Sequence, residues 1–296
     1  MDRRISNPVF NDRKLKLGTF QTNLDSGCVM SDLDGRLDIT WPNTLALAQL
    51  ADEMQFEAIV PVARWRGFGG PSGHNDVTLE SLATMSGLAE CTRRIRLFGT
   101  IHTMAFHPAV AAKMVATMDE ISCGRIGVNL EAGSNPIDHG QMGIWHDLSH
   151  AELYEVAEEW LTVATRLWTE DHVDFSGKYY QLVDCMSNPK PVQKPRPPIL
   201  CAATSDTGMR FTITQADASL VNGADVEDLK RNGRRAKDLA SAMGRTTKTV
   251  GLVMFVPGPT DASAHERVDY YNAGADIEAL TARALEYSQG AKDPCS

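Results

Sequence analysis

The chain has 296 residues and a mass of 32.4 kDa; 43% are hydrophobic and 23% charged, so it can bury a large core without disulfide or metal staples. Asp and Glu outnumber Lys and Arg by 38 to 29, and the resulting net charge of −9 excludes the basic field of a general nucleic-acid binder. No apolar run approaches the roughly twenty residues that span a bilayer, the opening Met1-Asp2-Arg3-Arg4 is not followed by a signal-peptide apolar segment, and the six scattered cysteines (28, 91, 123, 185, 201 and 295) read as reduced thiols of a cytoplasmic protein.

Strand and helix signals then alternate along the chain. Leu15–Phe20 alternates like a first strand. Thr40-Trp41-Pro42 opens a helix, with Thr as N-cap and Pro in the first turn, and Leu45, Ala48, Leu50, Ala51 and Met54 line its apolar side. Glu57–Ala63 reads as the second strand, Thr78–Cys91 as a helix and Ile95–Ile101 as the third strand. Pro108 starts another helix, and Arg125–Ala132 is the fourth strand. Ser149 and Glu152 form a capping box, which predicts a helix with Leu153, Val156, Ala157, Trp160, Leu161, Ala164, Leu167 and Trp168 on one stripe. Val173–Leu182 looks like an inserted hairpin centred on Ser176-Gly177, and the five prolines between Pro189 and Pro198 mark a stiff connector. Ile199–Ala203, Ala218–Asn222 and Thr249–Val256 are strands five to seven, followed by helices near 206–216, 226–243 and 260–272; a last amphipathic stretch is Ile277–Ser288.

Seven βα units with short apolar strands indicate parallel strands covered on both faces. The first strand ends in Thr19-Phe20-Gln21-Thr22 without a glycine fingerprint, which favours a (β/α)8 TIM-barrel type over an open dinucleotide-binding sheet. The whole of 1–296 is read as one domain, with 173–198 as an insertion. No eighth strand is found before Lys292–Ser296, so the barrel is expected to be truncated there, leaving two open edges that invite another chain.

Barrel chemistry belongs at the C-terminal ends of the strands. Arg64-Trp65-Arg66 leads there into a glycine-rich run, Gly67 to His74, which is either a loop over the barrel mouth or a backbone cradle for phosphate. His102 ends the third strand as a base, a hydrogen-bond donor or a structural histidine near a helix start. Asn129 and Glu131 share one face of the fourth strand, opposite Val128 and Leu130. An amide at this depth suits a planar heterocycle, or else a barrel layer in which neighbours hold it. Ala202-Ala203-Thr204-Ser205 at a helix start favours a phosphate beyond ordinary capping. His146-Asp147-Leu148-Ser149-His150 mimics a zinc motif, but the helix begins at Ser149, so the two histidines do not share a helical face and no metal is expected.

Arg66-Gly-Phe-Gly-Gly70, Gly124-Arg-Ile-Gly-Val-Asn-Leu130, Gln141-Met-Gly-Ile-Trp145 and Ala203-Thr-Ser-Asp-Thr-Gly-Met209 resemble the bacterial luciferase-like flavin monooxygenases, most of all the pyrimidine (uracil) monooxygenase branch. The resemblance runs from about Lys14 to Ser288. It implies a (β/α)8 barrel that takes reduced FMN from a separate NAD(P)H-dependent flavin reductase and uses O2 to oxygenate a small polar nitrogen- or sulfur-containing substrate. It also implies Ala63 and Arg64 beside the flavin, Asn129 as the flavin-contacting amide, Asp138 where the family has Glu, Tyr154 and Ser205 at the phosphate end, and Thr103 near the oxygen-reacting edge. His102, Thr103 and Asn129 are the residues expected at the reacting edge.

Two substitutions depart from that branch. Leu153 stands where it has Arg, removing a charge from the phosphate end, and Ser134 stands where it has Trp, reshaping the pocket. Two other readings compete: a non-catalytic or truncated flavin-binding relative, and a deazaflavin-dependent oxidoreductase on the same barrel. A homo-oligomer is expected, with no nucleic-acid or membrane partner.

Overall fold

The computed structural model describes residues 15–132, 136–144 and 148–290, with side chains as far as Glu286. Its elements are β1 (Gly18–Phe20), α1 (Trp41–Glu53), β2 (Ala58–Val60), α2 (Ser81–Cys91), β3 (Arg96–His102), α3 (Pro108–Ile121), β4 (Ile126–Glu131), α4 (Pro136–Gln141) and α5 (His150–Thr169). They continue with β5 (Val173–Ser176), β6 (Gln181–Cys185), β7 (Ile199–Ala202), α6 (Asp206–Gln215), β8 (Ala218–Val221), α7 (Val226–Ala242), β9 (Lys248–Gly251), α8 (Asp261–Ala273) and α9 (Ile277–Gly290).

Strands β1, β2, β3, β4, β7, β8 and β9 pair in that order, every pair parallel, into one curled sheet, while β5 and β6 form a separate antiparallel hairpin. This is seven-eighths of the expected barrel: among the described residues no strand joins β9 to β1. Period-two alternation divides the strand residues into two layers. Ile59, Leu97, Ile101, Val128, Leu130 and Ile199 pack outward against the helices. Val60, Phe98, Leu200, Ala218 and Leu220 fill the concave side. The register pairs Thr100 with Asn129 and His102 with Glu131, which brings these four side chains together at the C-terminal ends of β3 and β4.

Helix α5 holds the outer layer on α3. Its capping box is formed, and the indoles of the buried Trp160 and Trp168 donate to the carbonyls of Phe106 (2.7 Å) and Ala112 (3.0 Å). The proline connector is pinned by Gln193, whose side-chain amide donates to Asp119 (2.6 Å) and to the Ile126 carbonyl (2.6 Å).

Several boundaries differ from the sequence reading, each for a reason of tertiary contact. Leu15 and Leu17 are exposed, and the first strand pairs only from Gly18. Helix α2 begins at Ser81 rather than Thr78, because Glu80 caps it through the amides of Leu82 (3.0 Å) and Ala83 (2.6 Å) while Thr78 bridges to Leu24. The hairpin turn is centred beyond Ser176-Gly177: the Glu159 carboxylate gathers the amides of Lys178, Tyr179 and Tyr180 at 2.7–3.2 Å and sets the bend there. The seventh strand stops at Gly251; Val253, Met254 and Phe255 are exposed, and among the described residues no strand lies beside them to extend along.

The loops after β1 and β2 meet the start of α9. Asp276 accepts the amides of Ser72 (2.8 Å) and Ala279 (3.0 Å), and its own amide donates to the Met30 carbonyl (3.1 Å). Gly70 lies at φ +70° against this carboxylate, which a Cβ would strike, so only glycine fits there. The glycine-rich run is therefore a fixed loop beside the mouth.

Candidate active site

Four polar residues line the concave side where β3 and β4 end. The hydroxyl of Thr100 donates to the Pro61 carbonyl (2.5 Å) and accepts from Asn129 Nδ2 (3.2 Å). Asn129, 2% exposed, spends its second N–H on Glu131 Oε1 (3.4 Å), which leaves Oδ1 buried with no partner. His102, 4% exposed, has Nε2 at 3.0 Å from the Ala63 carbonyl. A carbonyl only accepts, so Nε2 carries the proton and Nδ1 is a bare acceptor, also buried and unpartnered. Burial, reinforced by the neighbouring His139, pushes His102 down to about 3, and the ring is neutral at physiological pH. Burial pushes the Glu131 carboxyl up to about 7, against the opposing Asn129 hydrogen bond.

The other expected residues separate into two groups. Thr103 is buried, and its hydroxyl donates to the Ala132 carbonyl (3.3 Å), tying β3 to β4 beside this cluster. The Arg64 guanidinium lies 3.2 Å from Glu286 on α9 and 4.2 Å above the Phe68 ring. Asp138, buried on α4, accepts the Trp65 amide (3.2 Å) and Gln141 Nε2 (3.1 Å) and so holds the segment after Arg64 in place.

Tyr154 and Ser205 come together at the start of α6. Ser205 Oγ accepts the Gly208 amide (3.1 Å), bonds the Tyr154 hydroxyl and lies 2.9 Å from His150 Nε2. A Cβ at residue 208 would collide with the Tyr154 hydroxyl, so glycine alone lets the phenol sit against the helix end. Leu153 is 3% exposed on the apolar stripe of α5. Ser134, Trp145, His146 and Asp147 lie outside the described residues.

Sequence reasoning left out three residues that the fold brings to the site. Glu131 shares the strand face that singled out Asn129, so the same alternation marks it. His150 lies one turn before Tyr154, with the rings 5.2 Å apart, and that four-residue spacing was its signal. His139, fully buried and edge-on to His102 at 4.9 Å, gave none, because α4 meets β3 only in the fold. A cavity of about 140 Å³ opens between Ala63–Trp65 and the start of α2. Among the described residues, no group of His, Cys, Asp and Glu is placed to hold a metal, and no helix is long and apolar enough to cross a membrane.

A curled parallel sheet that gathers polar and partly unpaired groups at the C-terminal ends of its strands has the design of a (β/α)-barrel enzyme. The sequence pattern of the luciferase-like monooxygenases matches residues 21–294, and the chain belongs to that family. It is 34% identical over 271 residues to the pyrimidine monooxygenase RutA of Cronobacter turicensis, covering 90% of this chain and 71% of that protein. With the protein of the same name from Bradyrhizobium sp. the identity is 34% over 283 residues, covering 94% and 77%. Among solved structures, long-chain alkane monooxygenase LadA superposes with a TM-score of 0.80 at 21% identity, over 94% of this chain and 73% of that one. EDTA monooxygenase EmoA from Chelativorans sp. BNC1 gives 0.78 at 24% identity, over 92% and 72%. These two share the fold. The chain is a flavin-dependent monooxygenase.

Proposed function

We propose that the chain is the oxygenase of a two-component system, taking reduced FMN from a separate NAD(P)H-dependent flavin reductase and oxygenating a small polar nitrogen- or sulfur-containing molecule. One observation carries the FMN assignment. Two buried acceptors without partners, Asn129 Oδ1 and His102 Nδ1, sit at the ends of β4 and β3, and a separate anion-type site sits at the start of α6. A heterocycle with N–H donors fits the first. A phosphate fits the second, where helix-end amides and Ser205 converge. The residues present therefore fit the cofactor, with no arginine at 153 to add charge at its phosphate end.

When bound, the reduced flavin supplies the electrons that activate O2. The chain's own residues bind, orient and keep water out. Asn129, fixed by Thr100 and Glu131, presents its carbonyl oxygen to the ring in one orientation. His102 stays neutral and offers Nδ1 as a hydrogen-bond acceptor, so it orients the ring without carrying a charge to it. Thr103 closes the β3–β4 edge of the pocket. Tyr154 and Ser205 hold the phosphate end.

The test is anaerobic titration with FMN, oxidised and reduced, followed by oxygen uptake on mixing with air. Tighter binding of reduced than of oxidised FMN, with uptake above that of free flavin, supports the reading. Equal or inverted affinities remove the two-component assignment, and preference for a reduced deazaflavin moves the enzyme to the other class.

A further inference from the structure

We propose that Glu131 is a cofactor-positioning residue whose carboxyl receives the hydroxyls of the sugar-alcohol chain that links the flavin ring to its phosphate. This rests on the FMN reading above and adds a residue that reading does not use. The argument begins from position. Glu131 follows Asn129 on the concave face of β4, and its Oε1 lies 3.4 Å from Asn129 Nδ2. Its charge also reaches the Tyr154 hydroxyl, which bonds Ser205 at the start of α6. Contacts and charge thus link Asn129 to Glu131, Glu131 to Tyr154 and Tyr154 to Ser205. A ring at the first and a phosphate at the last would lead the connecting chain past Glu131.

Chemistry gives the second argument. A carboxyl largely withdrawn from water needs hydrogen-bond donors or a cation. The groups facing Glu131 are Asn129 on its own strand, His102 at the end of β3 with Thr103 just after it, Tyr154 on α5 and Cys201 on β7. His102 is neutral, and burial pushes the Cys201 thiol up to about 12, so neither is charged near neutral pH. Among these groups only Asn129 donates to the Glu131 side chain, and none is a cation. Among the described residues, at least three of the carboxylate's acceptor positions therefore have no donor. A polyol supplies neutral hydroxyl donors in a row, and a row of hydroxyls beside a nearby phosphate adds no further charge. The carboxyl stands high enough to change protonation close to neutral pH, so it accepts fully only on the alkaline side.

Three oxidised flavins separate the parts of the cofactor: FMN, riboflavin, which lacks the phosphate, and lumiflavin, which lacks the polyol. Their dissociation constants are measured by fluorescence titration at pH 8 with the full chain, Glu131→Ala and Glu131→Gln, each checked by thermal melting. Glu131→Ala is expected to weaken FMN and riboflavin about tenfold and lumiflavin less than twofold, and Glu131→Gln to restore most of the loss, because its amide oxygen still accepts. Riboflavin binding by the wild type should tighten from pH 6 to pH 8 and be flat in Glu131→Gln. Equal losses for all three flavins, or no loss for any, overturn the proposal while leaving the FMN reading intact. Failure of the wild type to bind any of the three, oxidised or reduced, overturns both.

Discussion

Ser205 has two roles that one substitution separates by their readouts. Its hydroxyl caps α6 through the Gly208 amide and, on our reading, faces the cofactor phosphate. Ser205→Ala should cost about 1 kcal/mol of folding stability, the usual worth of an N-cap. It should also weaken FMN by roughly 0.5–1.5 kcal/mol and leave riboflavin unchanged, as for one lost hydrogen bond. Equal effects on both flavins would place the phosphate elsewhere. Glu131 gives a prediction of a different kind. Its carboxyl titrates near 7 in the fold and near its ordinary 4.5 in the unfolded chain. Below pH 4.5 both states hold the proton and nothing is lost. Between 4.5 and 7 the unfolded chain releases it first, so folding becomes progressively less favourable, and above 7 the penalty is complete. Glu131→Gln removes that penalty. In the absence of ligand it should stabilise the chain by about 1–3 kcal/mol at pH 8, a figure reduced for partial exposure, and by nothing at pH 4. Melting curves at the two pH values check this, and an equal gain at both would assign the effect to packing.

At the scale of elements, α5 decides what residue 153 can be. A comparison of sequences makes Leu153 look like a missing phosphate ligand. The helix places it on the apolar stripe with Val156, Ala157 and Trp160, all four buried, and Ala157 and Trp160 belong to the core between the helices and the sheet. Leu153→Arg would bury an unpaired charge and should destabilise the fold by about 2–4 kcal/mol without tightening FMN. A tighter FMN complex with an unchanged melt would show that the guanidinium escapes to the helix end. The same helix shows what a sequence discloses. Its stripe and its capping box are local, repeating every three to four residues, and both were legible. So were the two faces of β4, and through them Asn129 and the outward Val128 and Leu130. What remained illegible depends on partners distant in sequence. Arg64 turns to Glu286, 222 residues on, and Asp138 to the Trp65 amide, 73 residues back; no spacing rule encodes either. The late turn of the hairpin is set by Glu159 from α5 and lay beyond the strand pattern for the same reason.

Across the whole molecule the unresolved physical demand is at the sheet's two borders. Strand β1 pairs only with β2, and β9 only with β8, so each presents one row of backbone groups without a strand partner among the described residues. Backbone N–H and C=O groups left this way are templates for further pairing. Exposed apolar side chains lie beside them: Leu15 and Leu17 before β1, and Val253, Met254 and Phe255 after β9, with Phe255 79% exposed. Net repulsion from the −9 charge opposes aggregation in general but is screened at physiological salt over roughly 8 Å, too short a reach to protect these two strips. The chain as given should therefore associate, as a dimer or larger, with these borders covered. Sedimentation velocity over a hundredfold concentration range should show assembly, and replacing Val253 and Phe255 together by Lys should shift it toward monomer, because a charged edge resists strand addition. The substituted residues are exposed, so the monomer's own melt should change by less than about 0.5 kcal/mol. A wild-type chain that sediments as a monomer at every concentration and unfolds cooperatively would overturn this, and would mean that residues outside those described cover the borders within one chain.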